Sequence, residues 1–303
     1  MTQETINFAG QVAIITGAGG GLGRLYALDL AARGAAVVVN DLGGAVDGSG
    51  SSATAAEAVV EEIVAAGGKA IANAADVTDE AAVNGMVAEA IETFGRVDIL
   101  INNAGILRDK SFAKMEMSSW NKVVNVHLTG AALCTKAVWN VMKEQGYGRI
   151  VMTTSPSGIY GNFGQANYGA AKAGLWGMMN TLGIEGAKNN IHINCIAPSA
   201  GTRMTESIMD AGTLKMLAPE NITPAVVFLC SEAAPNRKVL VAAAGTYTLA
   251  EMVETQGIHL PEADRTPEAI AANWGKITDR TNAEPVNSAM EGVAKLVKAM
   301  VNA

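Results

Sequence analysis

The chain of 303 residues contains few cysteines, few histidines and few aromatic side chains, and it has no block of basic residues. Cys134, Cys195 and Cys230 lie in apolar surroundings without paired spacing, which indicates buried free thiols rather than disulfides or a zinc site. The three histidines are scattered along the chain, so we expect no metal site. A formal net charge of -7 argues against nucleic acid as a partner.

Long hydrophobic runs and targeting signals are also missing. Because no run of about 18 uncharged apolar residues occurs, we expect no membrane span and no membrane partner. Residues 1–5 lack the basic region and the apolar core of a signal peptide, and Val301-Asn302-Ala303 is not a peroxisomal tripeptide. These absences predict a cytoplasmic protein.

The sequence is rich in small and apolar residues. Hydrophobic residues make up 49% of it, charged residues only 17%, and there are 33 glycines. This composition is typical of a compact α/β enzyme, and the length suits one large domain with an appendage.

The first 41 residues contain a glycine-rich turn between two apolar strands. A strand over residues 11–16 leads into Gly17-Ala18-Gly19-Gly20-Gly21-Leu22-Gly23, a helix follows over residues 24–33, and a second strand over residues 35–40 ends at Asp41. This order is typical of a dinucleotide-binding unit, in which the glycines admit the pyrophosphate and the acid accepts the ribose hydroxyls. We therefore predict cofactor contacts at Gly17, Gly21, Leu22, Gly23 and Asp41.

Asp41 also predicts which dinucleotide is bound. A carboxylate at this place pairs with free ribose hydroxyls and repels a 2′-phosphate. No Lys or Arg lies among the glycines or directly after Asp41, so the sequence favours NAD over NADP. Residues 42–52, rich in Gly and Ser, are predicted to form a mobile loop beside the adenosine end.

Five further strands alternate with helices, which predicts a Rossmann-type, doubly wound parallel sheet of seven strands with the ligand at the carboxyl ends of the strands. These strands cover residues 69–74, 97–101, 149–154, 191–196 and 239–243. Candidate cofactor contacts at their ends are Asp76, Val77, Asn103, Ala104, Gly105, Pro198 and Thr202. Asp76 fits a turn residue equally well.

The chemistry is predicted for residues 155–172, where a Ser/Pro/Gly loop leads into a helix that begins near Gln165. Tyr168 and Lys172 are four residues apart and lie on one face of that helix. A neighbouring ammonium stabilises the phenolate and lowers the pKa of the phenol, so the pair is a candidate general acid/base. Ser155, on the loop, could hydrogen-bond a substrate oxygen.

The apolar periodicity of residues 118–145 predicts one long helix, which Asn125 interrupts in its first half. An amide within an apolar helix needs a partner. Asn125 is therefore either a satisfied core residue or part of a site.

The last ~60 residues differ in their sequence pattern from the rest of the chain. A helix is predicted from Thr266 through Trp274, and Ser288-Ala289-Met290-Glu291 forms a capping box that opens an amphipathic helix to Val301. We predict that residues 1–245 form the NAD-binding domain. Residues 246–303 are predicted to form a helical extension that covers the substrate site or makes a subunit contact.

Taken together, several motifs resemble the short-chain dehydrogenase/reductase family over about residues 8–245. They are Thr16-Gly17-x-x-x-Gly21-x-Gly23, Asn102-Asn103-Ala104-Gly105, Asn125, Ser155 and Tyr168-x-x-x-Lys172. The resemblance implies that Tyr168 is the proton donor and acceptor, that Lys172 lowers its pKa and holds the nicotinamide ribose, and that Ser155 polarises the substrate oxygen. Asn125 would anchor a water in the proton relay, and Ser157 is the alternative to Ser155.

Residues 40–44, 157–168 and 266–274 are in addition similar to the hydroxyacyl-CoA dehydrogenases of this family. This similarity implies oxidation of a (3R)-hydroxyacyl-CoA to a 3-ketoacyl-CoA with NAD, in a homodimer or homotetramer. A hydroxysteroid or another alcohol or ketone is the alternative substrate. A non-catalytic nucleotide-binding protein is the alternative outside the enzymes.

Overall fold

Apolar runs of the sequence become the strands of one eight-stranded sheet in the computed structural model, which describes residues 5–201 and 210–301. The sheet order is β3-β2-β1-β4-β5-β6-β7-β8, and the pairs from β3 to β7 are parallel. The strands are β1 Val12–Thr16, β2 Ala36–Asn40, β3 Lys69–Asn73, β4 Ile99–Asn102, β5 Gly148–Thr153, β6 Ile191–Ser199, β7 Val239–Ala243 and β8 Thr246–Ala250. The predicted Rossmann-type doubly wound sheet is confirmed. Because the strand order reverses between β1 and β4, a ligand crevice is expected at their carboxyl ends.

The prediction of seven strands is wrong by one. Ala244 and Gly245 have φ angles of 49° and 75°, and they turn the chain back into β8 beside β7. A two-residue turn with positive φ joins antiparallel neighbours, so β8 is the antiparallel edge of the sheet. Because residues Thr246–Leu249 are exposed, β8 lacks the apolar run that marks the other strands.

Nine helices are described between Gly21 and Cys230, together with three 3₁₀ turns. The helices are α1 Gly21–Ala32, α2 Thr54–Ala65, α3 Glu80–Phe94, α4 Met117–Val124, α5 Gly130–Gln145, α6 Pro156–Tyr160, α7 Ala166–Gly186, α8 Ala211–Met216 and α9 Thr223–Cys230. The 3₁₀ turns are Phe112–Lys114, Ala187–Asn189 and Pro219–Asn221. Across the described part of the chain, no helix combines the length and the apolar character that a bilayer span requires.

The predicted long helix over residues 118–145 is interrupted. A π-helical turn, Asn125–Thr129, separates α4 from α5, and the Gly130 N–H donates to the Asn125 carbonyl five residues earlier. A π turn adds one residue to the helical repeat and is frequent at functional sites. The side chains around it therefore point in directions that a regular α-helical repeat does not predict.

Helix α1 packs against the centre of the sheet and forms the core with it. Tyr26 and Leu30 of α1 are fully buried in one cluster with Ile15 of β1, Val37 of β2 and Ile101 of β4. Each such apolar side chain contributes roughly 1.5–3 kcal/mol on burial. This packing holds the glycine turn, which joins β1 to α1, over the end of the sheet.

Contacts divide the chain into two compact units, Met1–Leu249 and Ala250–Ala303. The second unit contains α10 Pro267–Ala272, α11 Trp274–Ile277, α12 Ala289–Val301 and a 3₁₀ turn at Glu262–Asp264. It also holds a small antiparallel sheet of β9 Val253–Glu254 and β10 Glu284–Pro285. At the start of α12 the Ser288 hydroxyl accepts from the Glu291 N–H at 3.1 Å, as the predicted capping box requires.

A buried carboxylate fastens the amino ends of the two central strands. Asp98 is fully buried, accepts the Val12 N–H at 2.9 Å and forms two hydrogen bonds of 2.7 and 2.8 Å with Arg96. We expect Asp98→Ala to lower the free energy of unfolding by about 3 kcal/mol, because it leaves a buried N–H without an acceptor. Urea denaturation measures this loss.

The matched control is Glu62→Ala, since Glu62 pairs with Arg24 at 2.6 Å on the exposed surface. That change should cost less than about 1 kcal/mol. Equal losses for the two variants would contradict the structural role given to Asp98.

Candidate active site

The glycine turn meets the end of β4 at very short range. Gly17 has a φ of 64°, and a Cβ added to it would lie 2.8 Å from the Ala104 Cα. The Asn103 side chain donates from Nδ2 to the carbonyls of Thr16 and Gly17, each at 3.0 Å. The turn is therefore held against the end of β4 in a backbone conformation that a side chain at Gly17 would disrupt.

This turn forms one wall of a cavity of about 210 Å³. Nine of the predicted cofactor residues line the cavity: Gly17, Gly21, Leu22, Asp41, Asp76, Val77, Asn103, Ala104 and Gly105. Gly23 lies beneath the turn, where an added Cβ would come within 2.3 Å of the Gly17 carbonyl. Pro198 lies in β6 and does not line the cavity, and Thr202 lies outside the described residues.

The loop after β2 forms the opposite wall. Leu42, Gly44, Ala45, Val46 and Gly48 line the cavity, and the place of this loop beside the adenosine stays a prediction. The loop is tied to the segment after β4 by hydrogen bonds from Leu107 N–H to the Val46 carbonyl and from Arg108 Nε to the Asp47 carbonyl. The cavity is also lined by six residues that the sequence motifs do not predict: Gly20, Asn40, Ala75, Ile106, Lys122 and Val126.

The two predicted acids are held in different ways. Asp41 accepts the Gly19 N–H at 2.8 Å and the Gly43 N–H at 2.6 Å, one on each carboxylate oxygen. The second lone pair of each oxygen is left for a ligand in the cavity. Asp76 accepts from both the N–H and the hydroxyl of Thr78 at 2.8 Å, so it serves as a turn residue as well as a lining residue.

Lys172 lies one turn after Tyr168 on α7, as predicted. Its side chain is only 3% exposed, Nζ donates to the Thr153 carbonyl, and Nζ lies 5.5 Å from the centre of the Tyr168 ring. Burial lowers the pKa of Lys172 to about 7, because the ammonium loses its hydration. Lys172 can therefore exchange a proton near neutral pH.

Ser155 completes the group from the end of β5. It is 8% exposed, and its hydroxyl accepts the Ser157 N–H at 3.1 Å at the start of α6. The alternative, Ser157, instead donates its hydroxyl hydrogen to Gln165 Oε1 at 2.8 Å. Tyr168 forms a side-chain hydrogen bond with Ser155, whereas the Ser157 hydroxyl is taken up by Gln165.

The pKa of Tyr168 is raised, which is opposite to the direction predicted from the sequence. Burial raises it, a hydrogen bond with Ser155 lowers it in part, and the Asp109 carboxylate raises it further. Desolvation of the phenolate therefore has the largest effect. Tyr168 is protonated near neutral pH and is suited to donate a proton. Once Lys172 has lost its own proton it can take the phenol proton, and Tyr168 can then accept a proton from a substrate.

Asn125 is not brought to this group. Its side chain is exposed on the π turn, whereas His127, two residues later, is 3% exposed and lies edge-on to the Tyr168 ring with 5.1 Å between ring centres. The π turn changes which side of the helix faces α7, so a regular repeat cannot place these two residues. The sequence does not predict His127 at the site, since a single histidine among apolar residues carries no signal of its own.

The described residues include no group of three His, Cys, Asp or Glu side chains able to hold a metal ion. The site contains a phenol, a lysine and a serine. The lysine lines a small cavity that shares Val77, Ala104 and Val126 with the glycine-walled cavity. Such an arrangement can bind a dinucleotide and move a proton at a substrate oxygen.

Comparison with known proteins bears on the family. Residues 11–212 match the family model described as short chain dehydrogenase. The chain is a short-chain dehydrogenase. The predicted resemblance is confirmed, and with it the assignment to the oxidoreductases.

This dehydrogenase is 47% identical to peroxisomal multifunctional enzyme type 2 of Mus musculus over 97% of the chain, but it spans only 40% of that protein's length. The full-length peroxisomal multifunctional enzyme type 2 of Drosophila melanogaster has a matching structure with a TM-score of 0.82 and 40% identity. That match covers 98% of this chain and 50% of the other. A 7α-hydroxysteroid dehydrogenase complexed with NADH and 7-oxo glycochenodeoxycholic acid matches with a TM-score of 0.73 and 31% identity, over 81% of this chain and 97% of the other.

Two conclusions follow for this short-chain dehydrogenase. It binds a nicotinamide cofactor and acts on a small molecule, as its family does. The predicted cytoplasmic location is wrong by this comparison, because the mouse and fly relatives carry names that place them in the peroxisome.

Proposed function

We propose that this short-chain dehydrogenase oxidises the secondary alcohol of a (3R)-hydroxyacyl-CoA to a 3-ketoacyl-CoA, with NAD as the cofactor. The observation that carries the proposal is the grouping of Ser155, Tyr168 and Lys172 next to the glycine-walled cavity. The similarity to the multifunctional enzymes over 97% of the chain supports the choice of substrate.

The residues of the site would divide the work as follows. Ser155 donates a hydrogen bond to the substrate oxygen and orients the alcohol. Tyr168 first gives its phenol proton to the neutral amine of Lys172 and then takes up the hydroxyl proton of the substrate, so the new carbonyl forms without a free alkoxide. A bound nicotinamide ring supplies the hydride acceptor.

The cavity fits a dinucleotide. At Gly20 and Gly21, which line the cavity, an added Cβ would meet no atom within 4 Å, so the backbone there is open to a close ligand. Gly17 and Gly21 would approach the pyrophosphate, and Asp41 would accept the ribose hydroxyls. Asp76 and Val77 would border the adenine, and Asn103, Ala104 and Gly105 would lie beneath the nicotinamide half. Lys172 and Tyr168 would hold the nicotinamide ribose.

We expect Asp41→Asn to reduce the preference for NAD over NADP by at least about tenfold, which is about 1.4 kcal/mol. Asparagine keeps an acceptor for one of the two backbone N–H groups but removes the charge that repels a 2′-phosphate. The ratio of kcat/KM for the two cofactors measures the effect.

Asp47→Asn is the matched control, because Asp47 is an exposed acid of the same loop. It should leave the cofactor ratio unchanged. Equal use of NAD and NADP by the unaltered protein would overturn the argument from Asp41.

A substrate panel tests the proposed reaction. The protein is supplied with NAD and with (3R)-hydroxyacyl-CoA, (3S)-hydroxyacyl-CoA or hydroxysteroid substrates, and NADH formation is followed by absorbance. We expect turnover of the (3R) thioester and at least about 100-fold less of its (3S) epimer, because only one face of the carbinol can meet both Tyr168 and the cofactor.

Steroid oxidation is the second candidate function. The structural match to a 7α-hydroxysteroid dehydrogenase favours keeping it in the panel. Turnover of steroids without turnover of the thioester would show that the substrate is a steroid and not a hydroxyacyl-CoA. The proposed roles of the site residues would not change.

Several expectations from the sequence remain predictions. The roles of the site residues can be tested by mutation, and self-association as a homodimer or homotetramer can be tested by light scattering. The role of the extension as a cover or subunit contact is also still a prediction. So is the lack of nucleic acid and membrane partners.

A further inference from the structure

Lys122 is the one cation among the described residues that line the cavity assigned to the dinucleotide. The other charged residues of that lining are the acids Asp41 and Asp76. Lys122 lies near the end of α4, far along the chain from the glycine turn and from the loop after β2. Neither of those two segments contains a Lys or Arg, so the fold adds a positive charge that the local motifs do not reveal.

The stem of Lys122 is packed, while its ammonium is not engaged. Gly48 has a φ of 78°, and a Cβ added to it would lie 3.6 Å from the Lys122 Cε and 3.1 Å from two side-chain carbons of Ile106. The loop after β2 therefore lies directly on the methylene chain of the lysine. Although Lys122 is half-buried, its Nζ forms no hydrogen bond and no ion pair with the described residues.

The end of α4 gives this ammonium no structural task. A lysine in the last turn of a helix can stabilise the free carbonyls of that end. α4, however, passes directly into the π turn, because Asn125 keeps a helical conformation and its N–H donates to the carbonyls of Asn121 and Lys122. Without a free helix end or a carboxylate partner, the three donors of the ammonium are left for solvent or a ligand.

The neighbours of Lys122 indicate which half of a dinucleotide it would meet. Val126, four residues later, lines this cavity and also the small cavity that it shares with Val77. The apolar side chains of Val77, Ile106 and Val126 suit the flat face of a base, whereas the pyrophosphate is assigned to the glycine turn. These contacts favour the adenine side of the cavity for Lys122.

The chemistry of adenine fits this pair of charged side chains. Adenine carries an amino donor and ring-nitrogen acceptors. Asp76 can accept from the amino group, since both of its bonds to Thr78 fall on Oδ1 and Oδ2 has no partner among the described residues. Carboxylates cannot donate to the ring nitrogens, so those acceptors require a donor such as the Lys122 ammonium.

We propose that Lys122 is a specificity residue for the cofactor: its ammonium donates a hydrogen bond to a ring nitrogen of the adenine. This proposal rests on the proposed dinucleotide site and adds to it a contact from α4. The contact is the same for NAD and NADP, and a nucleotide without adenine lacks it. It serves cofactor affinity, whereas the proton transfer at Tyr168 does not depend on it.

Binding measurements without substrate test this contact. The probes are NADH, NADPH, adenosine and reduced nicotinamide mononucleotide, which lacks the adenosine half. The fluorescence of the reduced nicotinamides gives their dissociation constants, and displacement of NADH gives that of adenosine. We expect Lys122→Met to weaken NADH, NADPH and adenosine each by about tenfold, because it removes one hydrogen bond from a charged donor and keeps the packed stem. Reduced nicotinamide mononucleotide should bind within about twofold.

Two variants serve as controls. Lys122→Arg keeps a charged donor and should bind NADH within about threefold of the unaltered protein. Lys136→Met removes an exposed lysine of α5 and should change none of the four dissociation constants. In steady-state kinetics, Lys122→Met should raise KM for NAD about tenfold and leave kcat within about twofold, as loss of uniform binding does.

An unchanged affinity for adenosine in Lys122→Met would overturn the proposal. A larger loss for NADPH than for NADH would assign the ammonium to the 2′-phosphate, and a tenfold loss for reduced nicotinamide mononucleotide would assign it to the other half of the cofactor. Either result also overturns the adenine contact. If the unaltered protein oxidises no hydroxyacyl-CoA, the proposed function fails, while the dissociation constants still decide the role of Lys122.

Discussion

Tyr168→Phe is expected to lower kcat for alcohol oxidation by about 1,000-fold, because it removes the phenol oxygen proposed to take the substrate proton while the ring stays in position. Cofactor binding should weaken by no more than about tenfold, because Tyr168 would contribute only one hydrogen bond to the nicotinamide ribose and the residues that line the cavity stay in place. NADH formation and the quenching of protein fluorescence by NADH measure the two effects.

The matched control is Tyr247→Phe, in which the exposed phenol loses one hydrogen bond to the Asn221 carbonyl. It should retain full activity. If Tyr168→Phe kept more than about a tenth of the activity, the phenol would not be the proton acceptor, and the proposed mechanism would fail.

Lys172→Met is expected to reduce activity by about 100-fold or more and at the same time to stabilise the fold. The lysine is 3% exposed with a pKa lowered from 10.5 to about 7, so the folded chain carries a cost that methionine lacks. At pH 6 we expect the variant to be more stable by about 2 kcal/mol, after the loss of the bond to the Thr153 carbonyl is subtracted.

The pH dependence identifies the cause. Between pH 7 and 10.5 the unfolded chain holds a proton on Lys172 that the folded chain has released, so the stability of the unaltered protein rises with pH across this window. The advantage of Lys172→Met should therefore be largest below pH 7 and shrink toward pH 10.5. Urea denaturation at several pH values measures it.

Lys188→Met is the control, because Lys188 is exposed and should show neither effect. A constant stability difference between Lys172→Met and the unaltered protein at every pH would mean that Lys172 is not buried as a neutral base. The same variant with full activity would remove Lys172 from the catalytic group.

The cofactor half of the site was predictable because its signals are local. The turn at Gly17–Gly23 and Asp41 follow strands whose apolar runs are unambiguous, and the structure lines one cavity with most of them. Tyr168 and Lys172 were predictable for a similar reason, since a spacing of four residues on a regular helix fixes a common face.

The rest depends on features that leave no local trace. An amide within an apolar helix predicts a site role for Asn125, but the π turn changes the helical repeat at that point and turns His127 toward Tyr168 instead. β8 escaped prediction because an exposed edge strand needs no apolar run. The direction of the Tyr168 pKa depends on burial, which the pairing of Tyr168 with Lys172 does not reveal.

β1 and β4 are fastened to each other at both ends by side chains, in addition to their ladder of backbone bonds. Asp98 holds the amino ends of the strands together at Val12, and Asn103 holds their carboxyl ends together at Thr16 and Gly17. The two strands therefore form a rigid pair, and their carboxyl ends carry the glycine turn that we propose binds the dinucleotide. Loss of the Asp98 hydrogen bonds, at the amino end of β4 and remote from the chemistry, would therefore weaken dinucleotide affinity as well as lower stability.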